Sequence, residues 1–185
     1  FTGFDENGIE KNINISAYCD ADWAGDHDDR KSTSGYLVYV ANNLISWSSR
    51  KQPTISLSSA EAEYMSISTT IQEMKWIRSL LNELNILSDQ VPILYCDNQP
   101  AIAISENDKF HNRTKHIDIR HHYIREAIKN KEVLLEWIES KNQQADILTK
   151  SLGSDNTANV FKATVVGLQS LVNRRLRKEE SEPAL

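Results

Sequence analysis

The chain reads as an α/β domain in which helices cover a mixed sheet, and three observations carry that reading. Apolar residues alternate with polar ones from residue 13 to residue 19, the period of a strand with one buried face. A stripe of apolar residues at intervals of three and four runs through residues 60–84, the period of an amphipathic helix. After that helix, each further strand is reached through helical sequence, so parallel strands must join a sheet that helices pack against. The expected order is three strands, a helix, a strand, helices, a strand and a helix.

Residues 1–12, with Gly3, Asn7 and Gly8, are polar and aperiodic and read as a linker. In the first strand Ile13, Ile15, Ala17 and Cys19 alternate with Asn14, Ser16 and Tyr18, and the strand is expected to end at Asp20. A turn-rich charged stretch leads to Gly35. Residues 35–41 and 44–49 are β-rich and are parted by Asn42-Asn43, a hairpin signal because Asn tolerates the positive φ of a tight turn. Ser58 followed by Glu61 fits a capping box, in which hydroxyl and carboxylate satisfy the free amides of a helix start. Ala60, Tyr64, Ile67, Ile71, Met74, Ile77, Leu81 and Leu84 then line one face of a long helix. Residues 91–96 form a short strand, and residues 98–105 a short helix with Pro100 in its first turn. Residues 117–129 are helical, residues 133–138 are the last strand and residues 144–150 a final short helix. Beyond Gly153, Val160, Phe161, Val165, Leu168 and Leu171 are spaced for an extra amphipathic helix, while residues 174–185 are charged and read as frayed or disordered.

A chain of 185 residues has room for one domain with some excess at its ends. Its apolar runs are far too short to cross a bilayer, and no secretory signal is visible. Because the first residue is Phe1, the chain is expected to be a piece of something longer. Two cysteines, Cys19 and Cys96, make neither a disulfide framework nor a four-ligand zinc site, and both are expected to stay reduced inside a cell. The net charge of -5 argues against a nucleic-acid partner, but the charge is unevenly spread. Lys109, Arg113, Lys115, Arg120, Arg125, Lys129 and Lys131 face only Asp118 and Glu126 over residues 109–131, a basic stripe on an acidic protein.

Two tripeptides repeat, Tyr18-Cys19-Asp20 and Tyr95-Cys96-Asp97, each closing an apolar strand. Neighbouring parallel strands end side by side, and sites form beyond their carboxyl ends, so the two aspartates would meet there. Either one alone could equally begin a turn. Glu63 lies beside Tyr64 at the edge of the helix stripe, where an ordinary solvated carboxylate is the competing reading. Glu61, two residues earlier and on the opposite side of the helix, already has the capping role. Asp146 opens the last helix, a position that the helix dipole favours for any Asp.

The ordered motifs carry a resemblance. Tyr-Cys-Asp-Ala-Asp-Trp-Ala-Gly at residues 18–25, Arg-Lys-Ser-Thr-Ser-Gly-Tyr at 30–36 and Ser-Leu-Ser-Ser-Ala-Glu-Ala-Glu-Tyr at 56–64 are followed by Cys-Asp-Asn-Gln at 96–99. Arg-Thr-Lys-His-Ile-Asp at 113–118 and Ala-Asp-Ile-Leu-Thr-Lys at 145–150 complete the series. Over roughly residues 13–152 the sequence resembles the ribonuclease H domain of copia-type LTR retrotransposon Pol polyproteins. The resemblance implies a five-stranded mixed sheet in the order 3-2-1-4-5 and a catalytic, metal-binding set of Asp20, Glu63, Asp97 and Asp146, with Asp22 the alternative to Asp20. It also implies hydrolysis of the RNA strand of RNA–DNA hybrids during reverse transcription with two Mg²⁺ ions, for which Mn²⁺ can substitute. Four carboxylates in one cleft repel one another unless cations lie among them, and oxygen-only ligands select these metals.

By the same resemblance, Ser58, Ser59, Asn98 and Gln99 match positions that contact the 2′-hydroxyls of a hybrid, although for Ser58 helix capping is an equal claim. Arg113, Lys115, His116 and Arg120 are the candidates for backbone phosphates, against the alternative of a solvated basic helix face. The implied partners are the hybrid and an upstream reverse transcriptase in the same polyprotein, with no membrane, and the implied location is cytoplasmic virus-like particles or the nucleus. The histidine that cellular ribonucleases H carry before the last aspartate is missing from Glu139-Ser140-Lys141-Asn142, leaving Lys141 as a substitute. Trp23 and Trp47 are expected in core or sheet-face packing rather than on a nucleotide. Two other readings share the fold: an inactive nucleic-acid-binding module, and an integrase-like DNA strand transferase using three carboxylates.

Overall fold

The structure is a computed structural model that describes residues 13–85, 90–106 and 115–150, the side chains of residues 115–118 excepted. Its elements are β1 (Ile15–Asp22), β2 (Thr33–Val40), β3 (Asn43–Lys51), α1 (Ser59–Glu83), β4 (Ile93–Cys96), α2 (Gln99–Glu106), α3 (Lys115–Lys129) and β5 (Leu134–Trp137). Two 3₁₀ helices follow, Ser140–Asn142 and Gln144–Leu148. The strands form one sheet in the order β3-β2-β1-β4-β5. The hairpin side is antiparallel and the β1–β4 and β4–β5 pairs are parallel, which is the expected order and mix.

The core lies between this sheet and α1. Ala17, Val38 and Leu94 from three strands are fully buried against Ile67 and Ile71 of the helix, with Ile124 of α3 joining the same cluster. Each such large side chain contributes about 1.5–3 kcal/mol by leaving water. Ser58 caps α1 as expected, its hydroxyl accepting from the amide of Glu61 at 3.1 Å, while the Glu61 carboxylate accepts from the amide of Leu57 at 2.9 Å. The stripe holds from Tyr64 to Leu81, but Leu84 is 56% exposed. The helix stops at Glu83, and the positive φ of Asn85 turns the chain away from the core. Residues 62–68 are buried all round. Ser66, trapped there, donates to the carbonyls of Asp20 and Gly35, and Thr70, one turn on, donates to that of Ser66.

Three local expectations need correcting. β1 does not end at Asp20 but runs to Asp22, because β2 pairs with it as far as Asp22↔Thr33, whereas the parallel pairing with β4 stops at Tyr18↔Tyr95. The hairpin turn is Ala41-Asn42 rather than Asn42-Asn43. Both turn residues have positive φ (49° and 61°), as a two-residue primed turn demands, and Asn43 opens β3 with its amide bonded to the carbonyl of Ala41 at 2.8 Å. Of core and sheet-face packing, neither Trp23 nor Trp47 takes the core, being 49% and 64% exposed; Trp47 lies on the sheet in β3 and Trp23 just beyond β1. The Trp23 indole donates to the carbonyl of Ser56 at 3.0 Å, which fixes it across the loop before α1.

The short elements shift by a residue or two. Asn98 caps α2 by accepting from the amide of Ala101 at 3.0 Å. The last expected helix, residues 144–150, is a 3₁₀ helix ending at Leu148. The linker at 1–12, the helix expected around residues 160–171 and the charged tail lie outside the described residues. No described helix is long and apolar enough to cross a membrane.

Candidate metal centre

The site forms where the parallel and antiparallel halves of the sheet part. Beyond Tyr18, β1 has lost its partner β4 but keeps β2, so Asp20 emerges beside the end of β4, where Asp97 follows Cys96. Glu63 approaches from the second turn of α1, and Asp146 from the Gln144–Leu148 helix. That helix is held by Tyr39, whose hydroxyl donates to Gln144 Oε1 at 2.7 Å, and by Gln143, whose amide donates to the carbonyl of Cys19 at 2.9 Å.

These placements gather the four expected carboxylates into two overlapping groups. Asp20, Asp97 and Asp146 each offer an oxygen within 4.8 Å of the others, and Glu63, Cys96 and Asp97 do the same with their ligand atoms. Asp97 belongs to both. Asp22, the alternative to Asp20, belongs to neither; its carboxylate folds over Gly25, where a Cβ would meet Asp22 Oδ2 at 1.8 Å. Asp20 keeps its place although it lies within the strand instead of following it.

Burial treats the four unequally. Asp20 is wholly buried and well partnered: Lys150 Nζ lies 3.0 Å from Oδ1, and the Thr149 hydroxyl donates to Oδ2. Lys150 also reaches Asp146 Oδ1 at 2.8 Å. Glu63 is 5% exposed and its Oε2 has no hydrogen-bond partner. Burial above all, then the nearby Cys96, Asp20 and Asp97, push its carboxyl up to about 10. Burial likewise raises Asp146 to about 6; the charges of Asp20 and Asp97 add to this and Lys150 opposes it. Burial alone would lower the Lys150 ammonium, but its hydrogen bonds to Asp146 and Asp20 and their charges outweigh that and raise it. Cys19 is held protonated by its hydrogen bond with Cys96 and by burial.

A buried carboxylate oxygen without a donor, facing a cluster of further carboxylates, is what a hard cation satisfies. The residues present therefore fit a divalent metal, with Asp20, Glu63, Asp97 and Asp146 as the oxygen donors.

The expected substrate contacts are more dispersed. Ser58 and Ser59 at the start of α1 and Gln99 at the start of α2 are exposed, and Asn98 is half-buried. Ser58 and Asn98 both serve as helix caps. Arg120 lies on α3 at a small basic cavity with Arg50 and Lys51. Arg113 and the side chains of Lys115 and His116 lie outside the description. Lys141 is exposed and pairs with Glu139, so the structure gives it no contact with the carboxylates.

Three contributors went unnoticed in the sequence: Thr149, Lys150 and Gly35. The four-residue step from Asp146 to Lys150 is a signal for the lysine, since such a pair meets within one turn. Gly35 sits opposite Asp20 in β2. A Cβ there would come within 2.7 Å of Thr149 Cγ2 and 2.8 Å of Leu148 Cβ, so the glycine lets the last helix dock on the sheet.

Sheet order and site position together define the ribonuclease H-like fold. The same architecture is found in the N-terminal RNase H domain of a Mycobacterium tuberculosis protein, at a TM-score of 0.51 and 12% identity over 86% of this chain and 99% of that one. LC11-RNase H1, isolated from compost, superimposes at 0.52 with 16% identity over 75% of this chain and 94% of that one. At such identities the likeness establishes the fold alone.

The sequence relatives identify the lineage. The chain is 47% identical over 140 residues to the retrovirus-related Pol polyprotein from transposon RE1 of Arabidopsis thaliana, covering 76% of this chain and 10% of that protein. It is 43% identical over 136 residues to the corresponding polyprotein from transposon TNT 1-94 of Nicotiana tabacum, covering 74% and 10%. Its homologues are thus retrovirus-related Pol polyproteins of copia-type transposons, and the chain spans about a tenth of their length. The family described as "Ribosomal protein S5, C-terminal domain" matches residues 145–180. Most of that stretch lies outside the described residues, and its described part, residues 145–150, contains no strand of the sheet.

Proposed function

We propose that this domain is a divalent-metal-dependent ribonuclease that cuts the RNA strand of RNA–DNA hybrids, working as one part of a Pol polyprotein beside its reverse transcriptase. The observation that carries the reading is the convergence of Asp20, Asp97 and Asp146 within 4.8 Å, with the unpartnered Glu63 oxygen behind them. A second contribution is the homology to Pol polyproteins over three quarters of the chain.

Asp20, within β1, and Asp97, just past the end of β4, are the rigid ligands. Asp146 closes the site from a short helix, and Glu63 completes it from α1. Bound there, Mg²⁺ ions would activate water and neutralise the leaving 3′ oxygen. Ser59 and Gln99, exposed at helix starts on either side of the carboxylates, would meet the hybrid's minor groove, with Ser58 and Asn98 alongside as the caps that position them. Arg113, Lys115, His116 and Arg120 would hold the backbone phosphates, making binding sensitive to salt.

The test is hydrolysis of a labelled hybrid with Mg²⁺, with EDTA and with single- and double-stranded DNA as controls. Metal-dependent RNA cleavage confined to the hybrid is the expected result. Hybrid binding without cleavage would make the domain an inactive binding module, and DNA strand transfer would favour an integrase-like enzyme.

A further inference from the structure

We infer that Lys150 is a tethered counter-ion for the Asp20–Asp146 side of the cleft, which a divalent cation displaces when it binds; the inference rests on the metal-dependent reading above. Its ammonium lies 3.0 Å from Asp20 Oδ1 and 2.8 Å from Asp146 Oδ1, bridging two of the three aspartates that approach within 4.8 Å. The two carboxylates it bridges are therefore among those a cation would need. Its tether is short: the Lys150 amide donates to the carbonyl of Asp146 at 2.9 Å. Its outer side is open, with 40% of the side chain exposed, so the four-carbon stem can swing into water without disturbing the backbone.

The device solves a problem that burial creates. Asp20 has no exposed surface, and a bare carboxylate there would be strongly unfavourable in the absence of metal. A lysine supplies one positive charge and keeps Asp20 and Asp146 in ligating positions. It competes poorly with a doubly charged ion that several oxygens can surround. The consequence is a cleft shaped in advance, with cation affinity lower than its four carboxylates alone would give.

Calorimetric titration of Mg²⁺ and of Ca²⁺ into the full chain, without nucleic acid, tests this directly. Lys150→Met removes the charge at similar length and should tighten cation binding by about tenfold or more, whereas Lys150→Arg should stay near wild type. Unchanged or weaker binding by Lys150→Met would overturn the inference while leaving the metal reading intact. Absence of binding by wild type and variant alike would overturn both. Should Lys150→Met not fold, the lysine ammonium resonances of the wild-type protein decide, assigned by comparison with Lys150→Arg. Loss or displacement of the Lys150 signal on saturation with Mg²⁺ supports displacement, and an unmoved signal refutes it.

Discussion

The two sides of the acidic cleft handle buried charge in opposite ways. On the β1 side, Asp20 is wholly buried yet accepts from the Thr149 hydroxyl and the Lys150 ammonium, and Asp146 shares that ammonium. On the α1 side, Glu63 is almost as buried, has an oxygen with no donor, and is surrounded by Cys96, Asp20 and Asp97. One side is compensated from within the chain. The other carries an unsatisfied acid whose neutral form burial favours, a cost to stability that makes sense where an external cation is to be bound. Asp97, common to both groups, joins the two sides.

Cutting that join should have the largest effect. Asp97→Asn keeps the shape of the side chain and removes its charge from both groups, so hybrid hydrolysis should fall by about a thousandfold or more while circular dichroism stays that of the wild type. Wild-type turnover by this variant would remove Asp97 from the mechanism. Next in size is Gly35→Val, which breaks only the compensated side. The new side chain would collide with Leu148 and Thr149, forcing the Gln144–Leu148 helix off the sheet and carrying Asp146 and Lys150 away from Asp20. Unfolding titrations should show a loss of about 1–3 kcal/mol, and cleavage should drop by about a hundredfold because the ligands lose their positions.

Much of this comparison was legible in the sequence, and the rest was hidden for physical reasons. The mixed sheet and its covering helices followed from the hairpin signal and the helix before each later strand, the order 3-2-1-4-5 from the resemblance, and the repeated Tyr-Cys-Asp marked two carboxylates that do meet, although Asp20 lies within its strand. Alternation could not locate the end of β1, since the extra residues to Asp22 exist only because Thr33 and Ser34 pair with them. The hairpin turn was misplaced by one residue because Ala41 adopts a positive φ that its side chain disfavours, in a turn that the flanking strands and Asn43 hold closed. Gly35 reads as an ordinary strand-edge glycine until the last helix, over a hundred residues later, is seen lying on it. Contacts such as Lys150 to Asp20, 130 residues apart, leave no local pattern. The substrate-facing residues were named by resemblance, and two of them, Ser58 and Asn98, turn out to have structural work as caps as well.

The uncompensated side can be probed without any substrate. In metal-free protein the Glu63 carboxyl, raised from 4.5 to about 10, binds its proton more tightly when folded than when unfolded. Folding stability should therefore be highest at acid pH and decline as pH rises from about 4.5 toward 10, with Asp146, raised to about 6, adding to the decline at its lower end. Glu63→Gln removes the larger contribution. Chemical denaturation in EDTA should show this variant about 1–2 kcal/mol more stable than wild type at neutral pH, with the gap closing below pH 5. Saturating Mg²⁺ should reverse the order, because only the wild type gains the fourth oxygen ligand. Asp26 provides an internal contrast, since its hydrogen bond to Lys51 and the amides of Asp29 and Asp28 hold it down at about 2. Its contribution has the opposite sign: it is present above the ordinary carboxylate range and is lost as pH falls toward 2. Because Asp26 stays ionised well above 2, a Lys51→Met variant should leave the slope between about pH 5 and 9 unaltered. A Glu63→Gln protein whose metal-free stability fell between about pH 7 and 10 as steeply as the wild type's, above the range that Asp146 accounts for, would show that the cost lies elsewhere than in the Glu63 carboxyl.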